Sequence, residues 1–213
     1  MSRFPSPFGG GSDGLFDPFD AFVADHVPSP GPFLAEHDVL SGMDHVAFHR
    51  VTRDVFEARK VYDMTFNYNL AELNLDTRHE NAGYRYAVER PDAADAVERD
   101  RTIDGDGVER VLRAEFTPTT PFCPQTHTLT IGSFRAWNAL SDRHEYDLVR
   151  VRPAPMHHQS EAIRDQLEEL EETYLETGDV TAEPEDSAPV GSNPMERARE
   201  SERPSRGSPD APF

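Results

Sequence analysis

The chain has 213 residues and a formal charge of −19, from 40 acidic against 21 basic residues. Acids spread over every segment repel phosphate backbones and anionic lipid, which argues against nucleic acid and membrane as partners. The lone cysteine forbids an internal disulfide, and the start lacks a basic and apolar leader, so a reducing, cytoplasmic setting is expected. Lys60 is the only lysine. Dispersed acidity with almost no lysine reads as adaptation to concentrated salt, as in a halophilic microbe.

Residues 1–40 carry "FPSPFGGGSDG" and "HVPSPGPF", a composition expected to leave the segment largely disordered. Within it Phe16, Phe19 and Phe22 stand three apart, a spacing that suits a short amphipathic helix docked on a partner or folded back on its own domain. From Asp44 to Tyr62 the apolar Phe48, Val51, Val55, Ala58 and Tyr62 recur at helical spacing, with Asp44 as expected N-cap. "NLAELNLD" (69–76) and "YRYAVE" (84–89) read as strands.

An acidic insertion over 90–107 ends in the turn signal Asp-Gly-Asp-Gly. Leu112, Ala114 and Phe116 then alternate with Arg113 and Glu115 as in a half-buried strand. Leu129, Phe134, Trp137 and Leu140 predict a helix over 126–140, and "YDLVRVR" (146–152) a strand. Ile163, Leu167, Leu170 and Tyr174 predict a last helix over 160–175, capped by Ser160, and a polar acidic tail over 176–213 closes the chain. The expected architecture is α+β: a small mixed sheet of three to four strands packed against two or three helices, in a domain spanning 41–175 with disordered tails.

The cysteine sits in "EFTPTTPFCPQTHTL" (115–129), between a strand and a helix. Proline favours the first helical position, so Pro124 predicts Cys123 at the N-cap, where free amides and the helix dipole stabilise a thiolate. Thiolate is the form that binds soft metals and attacks electrophiles. The residues preceding prolines in "TPTTP" keep the approach extended, and the hydroxyls of Thr117, Thr119 and Thr120 are local hydrogen-bonding groups. The plainer alternative is that Cys123 is a small buried hydrophobe.

"FTPTTPFCP" resembles the T-x-T-x-P-x-C-P signature of the metal–sulfur cluster assembly domain of SufT-like and PaaD-like proteins. The resemblance extends upstream, where that family has a helix ending in Val-Tyr-Asp-Pro-Glu and a strand reading roughly Asn-Ile-x-Asp-Leu-Gly-Leu. "VYDMTFNYNLAELNL" matches at Val61, Tyr62, Asp63, Asn69, Leu73 and Leu75, with Leu70 for Ile and Glu72 for Asp. Met64 and Thr65 replace Pro-Glu, and Asn74 replaces a glycine. Downstream, the family likewise has a helix after Cys-Pro and then a valine-rich strand.

Over residues 44–152 the resemblance implies a non-enzymatic accessory factor that assembles iron–sulfur clusters or delivers them to client or scaffold proteins. Cys123 would contact a transiently held iron or iron–sulfur cluster, with Thr119, Thr120 and Pro124 shaping its loop and Asp63 and Glu72 as supporting acids. One thiolate cannot complete a cluster's ligand shell, so the cluster would be shared with a partner or with a second copy in a homodimer.

Several histidines are further candidate ligands. His127 follows Cys123 by four residues, one helical turn away on the same face. His157 and His158 lie in the connection before the last helix. His45 and His49 also stand four apart but have no cysteine or acidic pair beside them. A thiol–imidazole pair would suit nucleophilic catalysis, yet no protease, transferase or redox motif surrounds Cys123. The competing reading is a non-catalytic protein-interaction module with a structural cysteine.

Overall fold

The computed structural model describes residues 14–90 and 110–182. The segments expected to be an acidic insertion and a polar tail lie, from 91 to 109 and from 183 onward, outside the described residues. The elements run β1 (Asp38–Val39), α1 (Gly42–Arg59), β2 (Tyr62–Asp63), β3 (Tyr68–Asn69), a 3-10 helix (Leu70–Leu75), β4 (Gly83–Val88), β5 (Val111–Thr117), α2 (Thr126–Ala139), a short 3-10 turn (Ser141–Arg143), β6 (Leu148–Pro153) and α3 (Ser160–Thr177). The fold is α+β, as expected.

The main sheet has the order β1-β4-β5-β6, with β4 and β5 antiparallel and β5 and β6 parallel across the α2 crossover. Alternation sorts the strands into two faces. Tyr84, Tyr86, Leu112, Ala114, Phe116, Val149 and Val151 are fully or almost fully buried and form one core with Phe48, Val55 and Phe56 of α1 and Phe134 and Trp137 of α2. Trp137 meets Phe56 at 4.7 Å and Tyr84 at 5.1 Å between ring centroids, an edge-rich packing that aromatic quadrupoles favour. On the other face the register aligns Arg85, Glu115 and Arg152 in one row and Ala87, Arg113 and Arg150 in the next. Glu171 of α3 takes Arg150 at 3.0 Å and Arg152 at 3.1 Å.

Two asparagines close the sheet's free edges. The Asn74 side chain accepts from Tyr84 N–H and donates to Tyr84 C=O, both at 2.7 Å. Asn138 does the same for Val149, both at 2.9 Å. Each amide replaces a missing neighbouring strand, which satisfies the backbone and blocks edge-to-edge pairing. Gly83 is required by this arrangement: its φ is +110°, and a Cβ there would lie 2.3 Å from Asn74 Oδ1.

Four expectations change. Helix α3 has Gln159 at its N-cap, and the expected cap Ser160 is its first helical residue. The stretch 69–76 is a 3-10 helix and not a strand: Asn69 Oδ1 accepts from Ala71 N–H, and Leu70, Leu73 and Leu75 all turn into the core. Helix α1 begins at Gly42, two residues before the expected cap Asp44, and stops at Arg59, with Lys60 in the left-handed region (φ 59°) and Tyr62 in a strand. Residues 14–40 pack on the domain, whereas their composition suggested disorder. Leu34 is wholly buried, β1 pairs with β4, and Gly31 N–H donates to buried Glu115 at 2.7 Å.

In that strap Phe16, Phe19 and Phe22 lie under Arg78, Arg53 and Arg85, with guanidinium-to-ring distances of 5.8, 3.8 and 5.4 Å. The segment has no core of its own and borrows the domain's, which its average polarity conceals. The triplet therefore folds back on its own domain.

Candidate functional site

The site begins where β5 ends. Beyond Thr117 the chain runs through Pro118–Gln125 and enters α2 at Thr126. Helical bonding starts with Leu129 N–H donating to Gln125 C=O at 2.8 Å, so Gln125 and not Cys123 is the N-cap. Cys123 stands one turn earlier: its N–H donates to Thr120 C=O and its C=O accepts from Thr126 N–H, each at 3.3 Å. The thiol is partly exposed, and Sγ receives no hydrogen bond from any described residue. The expected stabilisation by helix amides is thus not realised, because the amides of the first turn begin past the sulfur.

The loop is instead held by its carbonyls. His157, buried at 2% exposure, donates from Nε2 to Cys123 C=O at 3.1 Å, while its Nδ1 accepts from Gln159 N–H at 3.3 Å. Those roles require the neutral ring, and burial, ahead of the opposing bond to Cys123 and the neighbouring His158, lowers its pKa. His158 uses both Nδ1 (2.9 Å) and its main-chain N–H (3.0 Å) on Pro121 C=O, and its ring lies 5.2 Å from that of Phe122. On the other side Gln125 reaches Met64 N–H at 3.0 Å and Thr65 Oγ1 at 2.5 Å.

The remaining expected ligands are dispersed. His127 Nε2 bonds Gln166 Oε1 of α3 at 2.5 Å, so it ties two helices together. Asp63 is buried and accepts from the amides of Thr65 (2.7 Å) and Phe66 (3.2 Å), shaping the turn that meets Gln125. Glu72 lies in the 3-10 helix, its pKa raised by burial, with Arg53 opposing the rise and Glu57 adding to it. Thr120 contributes its carbonyl, Thr119 is half-buried, and Pro124 is exposed within the turn. Among the described residues no group of three or more His, Cys, Asp or Glu side chains is placed to hold a metal ion. Cys123 is the one soft ligand that the loop offers.

Two features escaped sequence reasoning. Gln125 and His157 position the loop, and the structural use of His157 has no local signal, since its partner lies 34 residues away. Phe122, next to the cysteine in the chain, is open to solvent at 72% exposure, as are Met64 in the turn that Gln125 holds (74%) and Met156 in the connection before α3 (43%).

His45 and His49 lie one turn apart on α1, both buried. They stack at 5.6 Å, and His49 bonds Tyr86 Oη and Ala71 C=O, both at 2.9 Å. Burial pushes His49 down to about 4 and, with His49 and Arg85 nearby, His45 to about 2. They are core histidines covered by the strap, with Phe22 5.1 Å from the His45 ring.

No described helix is long and apolar enough to cross a membrane. No curated protein and no solved structure matches the chain. A family model described as a domain of unknown function, DUF7998, matches residues 14–181, which takes in the strap, the sheet, the cysteine loop and α3. The chain therefore belongs to the DUF7998 family.

Proposed function

We propose that the protein is a non-enzymatic accessory factor that receives or hands on an iron–sulfur cluster, with Cys123 as its one ligand to that cargo. The observation that carries the reading is a lone, partly exposed cysteine in the loop that follows β5, fixed through its carbonyls beside the exposed Phe122. A ligand set of one leaves the other cluster positions to a client, a scaffold or a second copy, and that incompleteness favours release over storage.

Two further observations support it. From β5 onward the order of strand, cysteine loop, α2 and β6 follows the one implied by the resemblance of "FTPTTPFCP" to the SufT-like and PaaD-like domain, whereas the strand it implies over 69–75 is here a 3-10 helix. The exposed Phe122, adjacent to Cys123 in the loop, gives a client an apolar contact. The same reading sets the protein in a reducing cytosol, in a cell adapted to salt.

The second reading, an interaction module with an inert cysteine, rests on the exposure of Phe122, Met64 and Met156 alone. Anaerobic incubation with iron and sulfide separates the two. Sulfur-to-iron charge-transfer absorption that disappears in Cys123→Ser is expected for a cluster carrier. A colourless protein under these conditions, or colour equal in the variant, overturns the carrier reading in favour of the interaction module.

A further inference from the structure

The C-terminal end of α1 and the middle of α2 enclose a cleft of about 250 Å³ whose lining includes Arg59, Lys60, Thr128, Gly132 and Arg135. Three cations on one small cleft are unusual in a chain of net charge −19 whose only lysine is Lys60. Lys60 is paired at 2.9 Å with exposed Glu57, which also takes Tyr62 Oη. Arg59 and Arg135 make no hydrogen bond, ion pair or ring contact with any described residue. The Nε atom of Arg135 is shielded from solvent and still lacks an acceptor, a state that burial penalises unless a ligand supplies one.

Gly132 adds an independent observation. A glycine inside a helix is destabilising, and here no neighbour demands it: a Cβ would meet only Val61 Cγ1, at an ordinary 3.9 Å. What the missing side chain does is leave the cleft open. Positive charge at the end of α1 complements that helix's dipole, which accounts for Arg59 and Lys60 but not for Arg135, four residues before the end of α2.

We propose that this cleft binds an oxyanion, a phosphate or carboxylate carried by a small organic molecule. The guanidinium groups of Arg59 and Arg135 give forked donors to it, and Thr128 offers a hydroxyl at the rim. At physiological salt the chain's overall acidity is screened within ~8 Å, so the local cations dominate. The site is separate from the cysteine loop and does not depend on the cluster reading.

The test is a titration of the full ¹⁵N-labelled chain followed by amide NMR, with inorganic phosphate in one arm, acetate in a second and sodium chloride at matched ionic strength in a third. Saturable shifts at Val61, Thr128, Leu129 and Gly132 are expected. Saturation by phosphate alone assigns a phosphate ligand, and saturation by acetate assigns a carboxylate. Arg135→Gln and, as a second variant on a more exposed side chain, Arg59→Gln should each weaken saturation at least tenfold while leaving the rest of the spectrum in place. Shifts no different from those with sodium chloride, or unchanged in both variants, overturn the proposal.

Discussion

The strap of residues 14–40 and the loop of residues 118–125 are both rich in proline and poor in regular structure, yet they are held in opposite ways. The strap is fixed by side chains: Leu34 is buried, three phenylalanines lie under three arginines, and Asp17 takes His26 Nδ1 at 2.5 Å. The loop is fixed by main-chain carbonyls, those of Thr120, Pro121 and Cys123, while Phe122 stands exposed and Cys123 partly so. Anchoring by side chains consumes them for stability. Anchoring by carbonyls leaves side chains available for a partner, which is what a presenting loop needs.

That contrast is sharpest at Leu34. Leu34→Ala should cost about 2–5 kcal/mol in chemical denaturation, the range for a fully buried leucine, and leave the reaction of Cys123 with a thiol reagent in the native state unchanged. A loss under about 1 kcal/mol would show that the strap is not anchored by burial.

Acid should loosen the strap's side of the molecule next. His45 and His49 titrate in the folded chain near 2 and 4, well below the unfolded value of about 6.5. The unfolded chain therefore binds protons first, and stability present above pH ~6.5 is lost as pH falls toward the folded values, by about 2 kcal/mol for each histidine at pH ~5. Denaturation midpoints measured from pH ~7 down to ~5 should fall, less so in His45→Gln. His26 acts in the reverse sense: its pKa is raised, first by Asp17, so its contribution is full below the unfolded value and lost as pH climbs through the folded one.

At the loop, stability and reactivity should separate. His157→Ala removes one of the two donors to Cys123 C=O, Thr126 N–H being the other, and should cost about 0.5–1.5 kcal/mol, the range for one lost hydrogen bond. The thiol reaction rate should change more than in Leu34→Ala, because the loop is then released. The smallest effect is expected for Phe122→Ser, within about 0.5 kcal/mol of the parent, since the ring is exposed. Any larger loss would mean that Phe122 supports the fold instead of facing a partner.

Periodicity made the fold legible where one face is buried. Phe48 and Val55 on α1, Phe134 and Trp137 on α2, and Leu112, Ala114 and Phe116 on β5 all follow their patterns into the core. It failed at residues 69–76, where the alternation of Leu73 and Leu75 was too brief to separate a strand from a 3-10 turn and Asn74 serves β4 as a surrogate strand. The strap was illegible because its stability depends on Arg53, Arg78 and Arg85, each distant in sequence. At the site the loop itself was legible from Pro121, Cys123 and Pro124. The helix start was not, since Gln125 and His157 fix it through contacts with Met64 and Cys123 that no local pattern signals.

The proposed carrier role requires Cys123 to be the one sulfur that this chain lends to a shared cluster. Native mass spectrometry of the anaerobically reconstituted protein reads that directly. Iron and sulfide are expected only on species with a second ligand source, either two chains or one chain plus added small thiols, and should vanish in Cys123→Ser. A complete cluster held by one chain without other thiols, or retained by Cys123→Ser, would contradict it.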